Sequence, residues 1–168
     1  MHLLRLLADL GLGFDCASSG EIQMVLDLGV HPSRIVFSQP CKSMSALRMA
    51  SHNGVLLSTF DNADELDKIK QTSPEMHLLL RIYAQDDTAK VCLGKKFGAL
   101  LETTESLLLR AWELGLEVVG VNFHIGTTRL CRRLLSRGPP SNHWRPNRLC
   151  SVRSKGLRHG GQARETGL

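Results

Sequence analysis

Short apolar runs alternate along this chain with longer stretches whose apolar positions recur every three or four residues. "GFDCAS" is a β-like run. It is followed by "SSGEIQMVLDLGV", where Ser18 and Glu21 have the Ser-x-x-Glu spacing of a capping box and Ile22, Val25, Leu26 and Leu28 form a helical stripe. "RIVFSQP" and "SMSALRMASHNG" repeat the pair, as do "VLLSTF" and "NADELDKIKQTSP", and "HLLLRIYA" is a fourth strand. After a longer polar connection, "TTESLLLRAWELG" predicts a helix closed by Gly115, and "LEVVGVNFH" a fifth strand.

The first four strands begin near Gly13, Ile35, Leu56 and His77, one β/α unit apart. Near-continuous apolar strands alternating with helices predict a parallel sheet covered by helices, in an α/β fold. A (β/α)8 barrel and a doubly wound sheet both satisfy this pattern. No Gly-x-Gly-x-x-Gly turn follows any strand, which counts against a dinucleotide-binding sheet.

Function in such folds gathers at the C-terminal ends of the strands. Asp15 stands at the end of the first strand, and Pro40, Cys41 and Lys42 follow the second. Asp61 follows the third, Arg81 ends the fourth, and His124, Gly126 and Thr127 follow the fifth. A charged or titratable group directly after an apolar strand is costly to bury unless something there uses it. Each position also has an ordinary structural reading. Asp61 fits a helix cap, Arg81 an ion pair, His124 a satisfied structural residue, and Glu65, Asp67, Lys68 and Lys70 a solvated helix face.

Charge changes the picture only at one end. Residues 129–168 hold ten of the 21 Lys and Arg but one of the 16 acidic residues, Glu165, a net of +9; the first 128 residues keep 11 basic and 15 acidic residues, a net of −4. The body therefore has the balance of an ordinary soluble domain, and the basicity belongs to the tail. The leucine-rich opening "MHLLRLLADLGLG" is interrupted by Arg5 and Asp9 and lacks the plan of a signal peptide. No apolar run approaches the roughly 20 residues of a membrane span. Five cysteines without a CxxC pair fit reduced thiols in the cytoplasm, with Cys16, Cys41 and Cys92 as small buried or loop side chains.

The blocks "LADLGLGFDCASSGEIQMVLDLGV", "RIVFSQPCKSMSALRMA", "STFDNADELDKIK", "LLLRIYAQDDTAK", "KKFGALLETT" and "VVGVNFHIGT" together closely resemble the eukaryotic, fungal-like ornithine decarboxylases, from about Leu3 to Thr127. The resemblance implies a partial (β/α)8 TIM barrel of the alanine racemase-like pyridoxal-phosphate fold, with about five of the eight β/α units in residues 1–128. It implies pyridoxal 5'-phosphate as cofactor, L-ornithine as substrate, putrescine as product and a homodimer with shared active sites. His124 matches the histidine that stacks on the pyridoxal ring, and Arg81 the arginine beside that ring. Thr127 stands where the family usually has a serine near the cofactor phosphate. Asp15 and Glu21 match acidic residues of the cofactor pocket, and residues 44–67 match the antizyme-binding surface.

In that family the imine-forming lysine precedes "FDCAS" by about one helix; no lysine precedes Asp15 in this chain. The resemblance thus gives the chain no catalytic residue of its own, and little or no turnover is expected. A non-catalytic regulator resembling antizyme inhibitor is the alternative, and arginine or diaminopimelate decarboxylation a lesser one. The family pattern stops at Thr127. Residues 129–168, rich in Arg, Pro and Gly without a period, are expected to be a disordered or aberrant tail, as from an altered frame or retained intron. Nucleic-acid binding with Trp144 as a stacking residue is not the expected role of that tail. No metal site is expected from Cys131, His143, Cys150 and His159, whose spacing matches no zinc-finger pattern. Five strands of a barrel leave two unpaired edges, so poor solubility of the chain alone is expected.

Overall fold

The computed structural model describes residues 2–84 and 96–124. Helix α1 (His2–Asp9) leads into strand β1 (Phe14–Cys16) and helix α2 (Ser19–Asp27). A 3-10 turn (Pro32–Arg34) precedes β2 (Ile35–Phe37), followed by α3 (Met44–His52), β3 (Leu57–Phe60), α4 (Ala63–Thr72) and β4 (His77–Arg81). The last pair described is α5 (Leu101–Glu113) and β5 (Glu117–Asn122). The tail, with Thr127, Gly126 and Cys92, lies outside the described residues.

All five strands are parallel and lie in the order β1-β2-β3-β4-β5. A doubly wound sheet reverses its order at a switch point, and none occurs here, so the pattern's two alternatives reduce to a segment of a singly wound β/α barrel. The helix boundaries follow from local chemistry. Ser18, Ser43 and Asn62 each accept a backbone N–H from the first turn of α2, α3 and α4. Asn62, and not Asp61, is therefore the cap of α4. Gly115, at φ +65, closes α5 as its sequence implied.

One hydrophobic cluster joins sheet to helices. Phe14, Cys16, Ile35, Phe37, Phe60, Leu78, Leu80 and Val118 pack there with side chains from α2 to α5, such as Ile22, Leu47, Leu66 and Leu107. Burying each such Leu or Ile contributes about 1.5–3 kcal/mol. Arg34 ties α1 to this body by donating to the carbonyls of Ala8 (2.8 Å) and Leu12 (2.6 and 3.1 Å).

Strand side chains alternate, so the remaining positions form the opposite face, the interior of the barrel wall. Asp15, Val36 and Leu57 pair in one row of it, Thr59, Leu79 and Gly120 in the next, and Arg81 with Asn122 in a third. This face mixes apolar and polar side chains, with His77 and Glu117 at the starts of β4 and β5 and Arg81 and Asn122 at their C-terminal ends.

Candidate functional site at the C-terminal ends of the strands

A register shift sets the site. Leu78 pairs with Val118 but Leu79 with Gly120, so Val119 is an extra residue on β5. In an unshifted ladder Val121 would lie opposite Arg81, and Asn122 would turn toward the helices. The bulge instead brings Asn122 beside Arg81 on the interior face, with His124 two residues further on, exposed.

Arg81 is the centre of the charge arrangement. Burial pushes its guanidinium down from the ordinary value, and Asp61 and Asp15 pull it back up, which brings these three predicted rim residues together. Each carboxylate is fixed from behind. Asp61 Oδ2 accepts the backbone N–H of Gly98 (2.8 Å) and Oδ1 accepts from Asn62 Nδ2 (2.8 Å). Asp15 accepts the hydroxyl of Ser38, and Thr59 Oγ1 donates to the Ser38 carbonyl at 2.7 Å. Asp15 sits in the middle of β1, one residue before its end.

Glu21 belongs to the neighbouring turn. Its carboxylate accepts the N–H of Ala17 (2.5 Å) while Ser18 Oγ accepts the N–H of Glu21 (3.3 Å), so the capping box closes the start of α2. Glu21 and Asp15 both bear on the Cys16 thiol, which burial and then these two charges push up to about 12. Cys16 is thus a buried, protonated side chain, whereas Cys41 is exposed.

Two expectations need correction. Glu65 was grouped with a solvated helix face, yet it is fully buried between two lysines. Its Oε1 meets Lys42 Nζ at 2.9 Å, an ion pair outside aligned hydrogen-bond geometry, and its Oε2 meets Lys68 Nζ at 2.6 Å. Lys42 was placed among the rim groups, but its ammonium points inward. It donates to the carbonyls of Gln39 (2.9 Å) and Thr59 (2.6 Å) and lies 5.6 Å from the Phe37 ring centre. Burial lowers its pKa, against the opposing pull of Glu65. An ammonium that donates to two carbonyls and is ion-paired to a buried carboxylate is a brace under the site, not a nucleophile facing it.

Two residues near Arg81 were not singled out by the sequence. The ring centre of Phe97 is 5.3 Å from the Arg81 guanidinium carbon. Asn122 Oδ1 is buried without a hydrogen-bond partner among the described residues. An unmet buried acceptor costs about 1–3 kcal/mol, so a polar group arriving from the barrel interior is favoured there. A cation, two carboxylates, an amide and an imidazole at the next strand end thus form a polar rim above the apolar core.

The fold is a segment of a β/α barrel with these polar groups gathered at its strand ends. The chain belongs to the pyridoxal-dependent decarboxylases: the profile of their pyridoxal binding domain matches residues 1–130. Ornithine decarboxylase of Neurospora crassa is 54% identical over 126 residues, 75% of this chain and 26% of that protein. Antizyme inhibitor 2 of Xenopus laevis is 44% identical over 125 residues, 74% of this chain and 27% of that protein. Among solved structures, the arginine decarboxylase of Paramecium bursaria Chlorella virus superposes with a TM-score of 0.77 at 41% identity, covering 80% of this chain and 38% of that one. The lysine decarboxylase of Selenomonas ruminantium superposes at 0.69 and 38% identity, covering 76% and 33%. The chain therefore spans about a quarter of the curated relatives' length.

Proposed function

We propose that this chain is the cofactor-seating part of an ornithine decarboxylase-type enzyme, which uses pyridoxal 5'-phosphate to convert L-ornithine to putrescine. The observation that carries this reading is Arg81 paired with Asn122 on the interior face, with the charges of Asp61 and Asp15 acting on its guanidinium and His124 at the next strand end. When bound, the cofactor supplies an electron sink for the charge left as carbon dioxide departs. Arg81 and His124 would hold its ring. Asn122 offers an acceptor; Thr127, which the resemblance places near the phosphate, lies outside the described residues. Asp15 and Asp61 balance the charge of Arg81, and Glu21 lies in the neighbouring turn. Little turnover is expected of residues 1–168 by themselves, because Lys42 is the one lysine before Lys68 in this sequence and it is engaged below the site.

The test has two parts. The chain is titrated with pyridoxal phosphate by equilibrium dialysis, and carbon dioxide release is measured from ornithine, lysine and arginine in a protein extended to its relatives' length. Release from ornithine well above the other two supports the reading; equal or reversed rates exclude this substrate.

A second reading is favoured by the 44% identity to antizyme inhibitor 2. In it the chain is a non-catalytic regulator that binds antizyme through residues 44–67, which span α3, β3 and the first half of α4. Retention by immobilised antizyme without cofactor uptake selects this reading. Cofactor uptake without retention selects the enzyme.

A further inference from the structure

The segment at 96–99 runs as a strap beside the end of β4, where Ala99 forms a parallel bridge with Ile82. Ala99 exchanges two backbone hydrogen bonds with the end of β4, donating to the Arg81 carbonyl and accepting from Tyr83 N–H, both at 2.8 Å. Asp61 pins the strap a second time through the Gly98 N–H. Gly98 itself has φ +111, and a Cβ there would lie 2.7 Å from Tyr83 N and 2.8 Å from the Ile82 carbonyl. Backbone therefore passes within contact of backbone, which only glycine allows. The residue before Gly98 is Phe97, and this anchoring sets its ring against the Arg81 guanidinium.

We propose that Phe97 is a positioning residue: through the strap it fixes the orientation of Arg81 toward the ligand. Arg81 has long, freely rotating torsions, and two carboxylates alone attract it without choosing one plane for its guanidinium. A ring at 5.3 Å supplies that choice, because a guanidinium is held against an aromatic face by the ring's quadrupole. Asp61 serves both ends of the device, holding the strap by its backbone and Arg81 by charge. The inference rests on the reading that Arg81 faces pyridoxal phosphate, and it adds which group aims it.

The experiment compares the wild-type chain with Phe97→Leu and Phe97→Tyr. Two quantities are measured: pyridoxal phosphate binding by absorbance titration, and the Nε–H signal of Arg81 in a nitrogen-15 spectrum, assigned with Arg81→Lys. Far-UV circular dichroism checks that each variant keeps its helices. Phe97→Leu keeps the bulk of the side chain and removes the quadrupole. It is expected to move the Arg81 signal and weaken binding by about three- to thirtyfold, the range of a partly desolvated cation–π contact. Phe97→Tyr restores both. Binding equal to wild type in Phe97→Leu, or an unmoved Arg81 signal, overturns the proposal. A wild-type chain that takes up no cofactor, while Phe97→Leu still moves the Arg81 signal, overturns the cofactor reading and keeps the strap.

Discussion

Replacing Lys42 by Met tests the brace beneath the site most sharply. Its ammonium is wholly buried and meets Glu65 Oε1 at 2.9 Å and the carbonyls of Gln39 and Thr59 at 2.9 and 2.6 Å. Removing it leaves Glu65, itself with no exposed side-chain surface, dependent on Lys68, which is one third exposed, and on the Lys42 backbone N–H at 3.3 Å. Breaking a buried pair from one side costs about 3–5 kcal/mol, because the stranded charge keeps its desolvation penalty. The substitution also frees the Thr59 carbonyl, and Thr59 Oγ1 in turn holds Ser38, which holds Asp15. The damage therefore reaches the acidic side of the site. A urea titration of the dilute chain, followed by far-UV circular dichroism, should show the midpoint falling by at least about 1 M. The double variant Lys42→Met with Glu65→Leu removes both charges and should recover most of that loss, leaving a deficit of about 1–2 kcal/mol. A single variant that loses less than about 1 kcal/mol, or a double variant no better than the single, refutes the reasoning.

Three further outcomes follow from the same geometry. Arg34→Ala removes three hydrogen bonds, one to the Ala8 carbonyl in the last turn of α1 and two to the Leu12 carbonyl after it, so amide protection of α1 should fall by about 1–3 kcal/mol while that of β3 and β4 is unchanged. The Cys16 thiol is raised from 9.0 to about 12 in the folded chain, so the folded state holds its proton more tightly than the unfolded one. Its contribution is complete below about pH 9 and is lost as pH rises toward 12; Cys16→Ala should flatten stability over that window, and an equal slope in both chains would remove the effect. Leu101, Leu108, Leu109 and Trp112 leave an exposed apolar face on α5, and Val119 and Val121 are exposed on edge strand β5. The dilute chain should therefore self-associate as its concentration rises, and Trp112→Glu with Leu109→Lys should delay this in sedimentation, unless the face plays no part.

The sequence pattern located the strands closely: starts expected near Gly13, Ile35, Leu56 and His77 fall at Phe14, Ile35, Leu57 and His77. Buried parallel strands are apolar on both faces and stand out from amphipathic helices. The capping box at Ser18 and Glu21 was also legible, because its partners are three residues apart. Glu65 was not. Its polar neighbours on α4 suggest solvent, and the lysine that neutralises it lies 23 residues back, after another strand. Local periodicity carries no information about such a partner.

At the site, Arg81 stood out as a charge ending an apolar strand. Phe97 did not, because an aromatic in a polar connection reads as loop; the following glycine, with φ +111, was the available signal. Asn122 was hidden for a different reason. Its face depends on the bulge at Val119, and a single extra residue in β5 leaves no mark on an apolar run.

The central claim is that this rim seats pyridoxal phosphate through Arg81, and equilibrium dialysis of the wild-type chain against Arg81→Ala measures it directly. The account predicts saturable one-to-one uptake by the wild type, weakened at least about tenfold in the variant, as expected for loss of a charged hydrogen-bonding group. No uptake by the wild type, or equal uptake by both chains, would contradict it.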